Sequence, residues 1–499
     1  GTIDHSATSP LERSILAQPG KRMRVFIVLL LLFLTGCEND AFAPIKMKAE
    51  RKRDFTILTR VGSTTHSLEE TAGVSGFDHE LVKRFMHEQG IAYRIVVAAS
   101  DTDLRQRLAN GEANMAAAWQ SPSNQPNLRS GSPYASSQSV LVTHEASLPL
   151  AGIDRLAGRT IHVVSGSRQE AVLLGIKNTV PDLVIAPTDK LGELDLMESV
   201  AKRSIEAAVV SSAEFDIGSN YYPELQDALL IGEQQPIVWL FGPKVDDALI
   251  AKADAFIQKM RASGDMDRLR DRYFGHVDRL TPLHSVRFIE SIRSVLPKYR
   301  VFFETAQTVS GIEWGLLAAL AYQESQWNPL ATSTTGVRGV MMLTEDTADE
   351  RGVDNRLDAA QSIRAGAEYL SALHNALPSE VVEPDRTWFA LAAYNLGMGH
   401  LKAARQIAKT LKVDANSWYE MKKVLPLLAK EQYYRRLKSG KGRGGEAVIM
   451  VENIRMFVDI LNRHERADRV LATDVQTTTG GLSHPLQTVY APALPAFMR

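Results

Sequence analysis

Leu316-Leu317-Ala318-Ala319-Leu320-Ala321-Tyr322-Gln323-Glu324-Ser325 runs directly into Gln326-Trp327-Asn328-Pro329 and then reaches Gly336-Val337-Arg338-Gly339-Val340-Met341-Met342-Leu343. Leu317, Leu320 and Glu324 stand at i, i+3 and i+7, so one helical face carries leucines and then a carboxylate. Desolvation on that face, with the negative end of the helix dipole ahead of Pro329, raises a glutamate's pKa and keeps it a proton donor near neutral pH. The spacing marks Glu324 as a candidate catalytic acid, against the plainer role of a solvated glutamate late in a helix.

The two glycines of the following loop permit backbone conformations closed to residues with a β-carbon, so the loop can lie close against a ligand. Met341 and Met342 offer an adaptable apolar wall or simply core. In order, Gln323-Glu324-Ser325, Trp327, Asn328-Pro329, Ala331, Ser333, Gly336, Gly339 and Met341-Met342-Leu343 resemble the soluble-lytic-transglycosylase domain, a lysozyme-like fold that cleaves peptidoglycan. Ala393-Tyr394-Asn395 with Gly397 and Gly399 is similar to a second motif of that family, whose tyrosine and asparagine line the cleft.

The resemblance implies that Glu324 is the catalytic group and that Gln323, Ser325, Ser333, Gly339, Met341, Met342, Tyr394 and Asn395 contact the glycan. It implies cleavage of the bond between N-acetylmuramic acid and N-acetylglucosamine without water, leaving a 1,6-anhydro end, with no cofactor and no metal. Glycosidases ordinarily use two carboxylates. Glu345 and Asp346, just past the loop, read as first-turn acids of the next helix, where they suit its dipole. The family often has a tyrosine before its Val-Glu-Asn-Ile element; this chain has Met450 before Val451-Glu452-Asn453-Ile454, and Tyr433 or Tyr434 are the candidates to replace that hydroxyl. A hydrolytic muramidase of the same fold and a non-catalytic peptidoglycan or muropeptide sensor are the other two readings.

Upstream, the pattern alternates. Residues 55–59 read as a strand, Gly76-Phe77-Asp78 opens a helix with Leu81, Val82, Phe85 and Met86 on one face, and 93–98 and 114–119 read as further strands with a helix at 104–108 between them. Strands at 160–164 and 207–210 and helices from Gln169 and over 245–260 repeat the theme. Alternation of this kind predicts an α/β domain with a largely parallel sheet covered on both faces. Together with Ser132-Pro133-Tyr134 and Gly166-Ser167, it resembles the bilobed periplasmic solute-binding proteins of amino-acid transporters. That family's carboxylate-gripping arginine falls at Asn124 here, and its amino-binding aspartate falls at Ser211-Ser212, which leaves Arg129 and Ser167 as candidate contacts to a regulatory muropeptide or peptide ligand.

The chain has 499 residues, more than one ordinary core holds, so at least two domains are expected. Lysine plus arginine number 57 against 58 acids, a formal charge of −1, which excludes a strong nucleic-acid field and leaves binding to an anionic wall polymer to local patches. The one cysteine, Cys37, forbids an intrachain disulfide. It follows Lys21-Arg22-Met23-Arg24, a ten-residue apolar run over 25–34 and Thr35-Gly36. The run is too short for a span, which needs roughly 20 residues, and reads as a secretory signal. Leu34-Thr35-Gly36-Cys37 resembles the bacterial lipoprotein box, whose cysteine is lipidated, and Glu38 in place of aspartate implies the periplasmic side of the outer membrane. Acyl methylenes worth about 0.8 kcal/mol each would then hold the protein at the membrane. The expected organisation is an upstream segment (1–22), signal peptide (23–36), tether (37–53), solute-binding-like regulatory domain (54–276), linker (277–285), mostly α lysozyme-like catalytic domain (286–465) and disordered tail (466–499).

Overall fold

The computed structural model describes residues 55–65, 67–69, 73–477 and 489–491. The expected signal peptide, Cys37 and tether lie outside them. In the N-terminal region β1 (Phe55–Thr59) is followed by the hairpin β2 (Ser67–Glu69) and β3 (Gly73–Ser75), then α1 (Phe77–Gln89), β4 (Tyr93–Val97), α2 (Asp101–Ala109), β5 (Met115–Gln120), β6 (Arg129–Ser130) and β7 (Ala135–His144). After these come β8 (Thr160–Val164), α3 (Arg168–Lys177), β9 (Val184–Thr188), α4 (Glu193–Ala201), β10 (Ala207–Ser211), α5 (Ser212–Tyr221), β11 (Leu225–Phe241), α6 (Asp247–Ala262) and α7 (Asp265–Phe274).

Two lobes result. In the first, β1 is flanked in parallel by β4 and β5, with Ile57 opposite both Ile95 and Met115. In the second, β10, β8 and β9 are parallel. What joins them differs from a largely parallel sheet: β7 and β11 form a long antiparallel ribbon from the Leu225–His144 pair to the Ile237–Ala135 pair, and the last residues of β11 pair with β5. Sequence periodicity hides β11 because Gly232, a Glu233-Gln234-Gln235 run and Pro236 interrupt it, and the register shifts between Ile231 and Gln235. The first lobe's sheet is covered on both faces: Phe77, Phe85 and Phe256 pack with Ile57 and Trp239 on one, and Leu104 and Leu108 pack with Leu58 and Leu240 on the other.

The C-terminal region is helical: α8 (Pro282–Ser294), α9 (Arg300–Ser310), α10 (Trp314–Ser325), α11 (Glu345–Glu350), α12 (Ala359–Asn375), α13 (Asp385–Leu396), α14 (Met398–Thr410), α15 (Trp418–Val424), α16 (Glu431–Tyr434) and α17 (Gly444–Thr477). Pro282 is in the first turn of α8, where its missing N–H is no loss, so the linker is shorter than 277–285. The spacing of apolar residues from Val424 to Tyr434 predicts one helix, but the stretch is divided, because Pro426 opens a 3-10 turn at Leu425–Ala429. Two stretches of the tail expected to be disordered have regular structure. With no glycine or proline after Gly445 until Gly480-Gly481, α17 runs on to Thr477, and β12 (Val489–Ala491) pairs with β4. The core also ignores the expected boundary at 276: Val164, Leu196, Ile217, Tyr221 and Tyr222 of the second lobe join Val277, Phe288, Leu317 and Ile454 in one apolar cluster.

Candidate active site

Helix α10 begins where the Glu313 carboxylate accepts a hydrogen bond from the Leu316 N–H at 2.9 Å. It stops because Gln326 and Trp327 take left-handed backbone angles, φ 54° and 59°. The Trp327 ring then folds back under the helix, donating from Nε1 to the Ala318 carbonyl at 2.8 Å and lying against Phe288 and Tyr322. This reverse turn holds Glu324 in the last turn of α10.

The glycine loop is tied to the same turn. Ser325 Oγ donates to the Val340 carbonyl at 2.7 Å and the Ala321 carbonyl at 3.1 Å. Gly339, φ 85°, passes so close to the turn leading into α12 that a β-carbon there would lie 1.9 Å from the Arg356 carbonyl oxygen. Ser362 Oγ accepts from the Met341 N–H at 3.2 Å, and Tyr394 Oη, from the end of α13, donates to the Met341 carbonyl at 2.8 Å. Gln323 Oε1 accepts from Asn453 Nδ2 of α17 at 3.2 Å.

Glu324 is half-buried, and among the described residues it makes no hydrogen bond or ion pair. Burial alone pushes its carboxyl up to about 7. Burial, and then the nearby Glu324 charge, push the Tyr394 phenol well above its ordinary value, so the phenol keeps its proton. The arrangement supplies one carboxyl able to give a proton at neutral pH and take one back, against a rigid backbone wall.

Gln323, Glu324, Ser325, Gly339, Met341 and Tyr394 are thus brought together. Asn395 lies exposed at the end of α13. Met341 itself is fully buried and works through its backbone, which removes its side chain from the expected glycan wall; Met342, half-buried at φ 48°, is left to form that wall. The Ser333 hydroxyl accepts from the Thr335 and Val337 N–H groups and organises its own loop. Glu345 and Asp346 occupy the first turn of α11 behind the Thr344 cap, as their spacing predicts. Met450 is buried in the core, and Tyr433 is half-buried against it.

Two residues of the Val-Glu-Asn-Ile element support the site in ways that the motif alone does not announce. Asn453 orients Gln323, and the fully buried Glu452 accepts from Trp418 Nε1 at 2.7 Å, Arg455 Nη1 at 2.9 Å and Lys422 Nζ at 3.3 Å. Burial works against that carboxylate's charge, but Arg455 and Lys422 outweigh it and lower its pKa. The available signal was a Glu-Asn pair inside an otherwise apolar helical repeat.

The inter-lobe cleft, about 180 Å³, is lined by Arg60, Asp101, Arg105, Arg168, Glu193 and Glu214. Burial, and then the Glu214 charge, push Glu193 up to about 7. Glu214 of the second lobe accepts from the Thr64 N–H at 3.2 Å and Thr64 Oγ1 at 3.0 Å of the first, and from Ser63 Oγ. Arg129 and Ser167 are not among the lining residues. Arg129 is committed to Asp247 and to the Gly242 and Val245 carbonyls, and Ser167 caps α3 through the Glu170 N–H.

Comparison with known proteins follows this division. Residues 57–276 match the model of bacterial extracellular solute-binding proteins, family 3, and 301–416 match the transglycosylase SLT domain. The chain is 36% identical over 452 residues to a membrane-bound lytic murein transglycosylase F of Ectopseudomonas mendocina (strain ymp), covering 89% of this chain and 92% of that one. It is 38% identical over 448 residues to the protein of the same name from Methylobacillus flagellatus, covering 89% and 95%. Among solved structures, the P235GK mutant of ArgBP from T. maritima aligns with 44% of this chain and 95% of its own, at 17% identity and a TM-score of 0.40.

Proposed function

The chain belongs to the family of membrane-bound lytic murein transglycosylase F, and from that premise we propose that Glu324 is both the acid and the base of its reaction. The protein is a peptidoglycan lytic transglycosylase. Its Glu324 protonates the oxygen between N-acetylmuramic acid and N-acetylglucosamine as the bond to the anomeric carbon breaks. The muramic 6-hydroxyl adds to that carbon, and its proton passes to the Glu324 carboxylate. One bond to carbon is exchanged for another, the enzyme's proton is restored and no water is consumed.

The observation that carries this reading is a carboxyl near pKa 7 by burial alone, with no charged partner and no second acid shifting it among the described residues. Tyr394 holds the Met341 carbonyl, Asn453 holds Gln323, and Met342 and Asn395 face the glycan. Mass spectrometry of digested wall sacculi tests it: products are one water lighter than hydrolytic fragments, and reducing ends in their place would establish a muramidase. Unchanged sacculi with both the parent and Glu324→Gln would leave a wall sensor.

The protein is a peripheral membrane-associated one, and among the described residues no helix is long and apolar enough to cross a membrane. We place its attachment in a lipid on Cys37, at the periplasmic side of the outer membrane; Cys37→Ser releases it to the soluble fraction under this reading. A wall-derived peptide in the inter-lobe cleft is the proposed regulator. It is supported by the cleft's paired arginines and carboxylates and is tested by thermal shift of the full chain with a muropeptide panel.

A further inference from the structure

The overall charge of −1 conceals a strong local imbalance. Residues 402–443 carry twelve lysines and arginines against three acids, Asp414, Glu420 and Glu431. Ten of the twelve side chains are exposed. Glu420 is taken up by Arg268 and Lys423, and Glu431 by Arg435. Among the described residues Arg436, Lys438 and Lys441 have no acidic partner, and Tyr433 and Tyr434 lie just before them.

The C-terminal end of this segment is tied to the elements that carry the catalytic residues. Gly442 packs on His400, in the first turn of α14, close behind Tyr394 and Asn395; a β-carbon at Gly442 would lie 2.7 Å from the His400 ring. Gly444 lies against the backbone of Leu425 and begins α17, whose Asn453 holds Gln323. Nine residues of α-helix separate Gly444 from Asn453, about 14 Å, so the basic segment ends within about three turns of the residue that holds Gln323.

Resting on the assignment of Glu324 above, we propose that Arg436, Lys438 and Lys441 form a subsite for the carboxylates of the stem peptides borne by the glycan strand, so that the enzyme distinguishes peptide-bearing strands from naked ones. Unpaired guanidinium and ammonium groups at the rim of a cleft attract carboxylates and set specificity among otherwise equal chains. The lactyl-linked peptides repeat along the strand, so one within reach of the cleft's end meets these cations while the scissile bond is at Glu324.

The test compares the full-length parent with the triple variant Arg436→Glu, Lys438→Glu, Lys441→Glu on intact strands and on strands stripped of peptides by an amidase, reading anhydro ends. On intact strands the variant's KM rises about tenfold, the ordinary weight of three exposed charges, kcat holds, and the salt dependence of KM flattens. On stripped strands parent and variant have the same KM. Equal KM on intact strands, or an equal loss on both substrates, overturns the proposal. So does loss of binding to phosphatidylglycerol vesicles with KM unchanged, which would make the segment a membrane-facing surface. If the parent yields no anhydro ends on either substrate, the Glu324 assignment itself has failed, and that result is distinct from all the others.

Discussion

Glu324 holds two properties in opposition. The folded chain raises its pKa to about 7 from 4.5, so the unfolded chain binds fewer protons between those values. Stability from this group is full below about pH 4.5 and declines as pH rises through 7. Discounted for partial exposure, the cost above pH 7 is about 1–2 kcal/mol. Glu324→Gln therefore melts higher than the parent at pH 8 and equally at pH 4, while activity falls by about 10³-fold; differential scanning fluorimetry at the two pH values and the anhydro-end assay check this. The parent's kcat/KM declines as pH rises through about 7, as the acid loses its proton. Glu324 was legible because its charge breaks a leucine face. The plainer fate of Met341 and Ser333 was not, since a motif names residues without saying whether the side chain or the backbone is used.

The loop and the last helix are exacting in different ways. Gly339→Ala forces a β-carbon into the Arg356 carbonyl and into a disfavoured φ, so it lowers stability by about 2–4 kcal/mol and removes activity, as chemical denaturation and the same assay will show. Glu452→Ala strips Arg455 and Trp418 of a buried acceptor and costs about 3–5 kcal/mol. Asn453→Ala lowers kcat with little effect on the melting point, because it frees Gln323 alone. Sequence periodicity located helices such as α1 and α10 and the parallel strands β1, β4, β5, β8 and β10, which stand out as short apolar runs between turns, but it passed over the parallel strand β9, whose residues are largely exposed or half-buried. It failed at β11, whose partners lie up to 126 residues away on both lobes, as in the Phe241–Met115 pair, and at 424–434, where Pro426 divides a pattern that otherwise reads as helix.

On the scale of the whole molecule the two family matches suggest separable domains, and the packing contradicts this. Excising 55–276 uncovers Ile217, Tyr221 and Tyr222, so that fragment binds a hydrophobic dye and aggregates, whereas the full chain stays monodisperse under the same conditions; light scattering decides. No alternation of strand and helix announces such a seam, because it is made by a few apolar residues on α4 and α5 whose partners lie in the other half of the chain. Helix α17 makes the joint in a short space: Asn453 reaches the catalytic turn, Arg455 donates to the Asp271 and Arg272 carbonyls of α7, and Arg463 engages Asp195, Glu198 and Tyr222 of the second lobe. These contacts are the last part of the core to leave the ribosome. A chain cut ahead of Gly444 therefore loses at one stroke the hold on Gln323, the tie to α7 and the clamp on the second lobe, so a single break separates the wall-cutting site from the domain beside it.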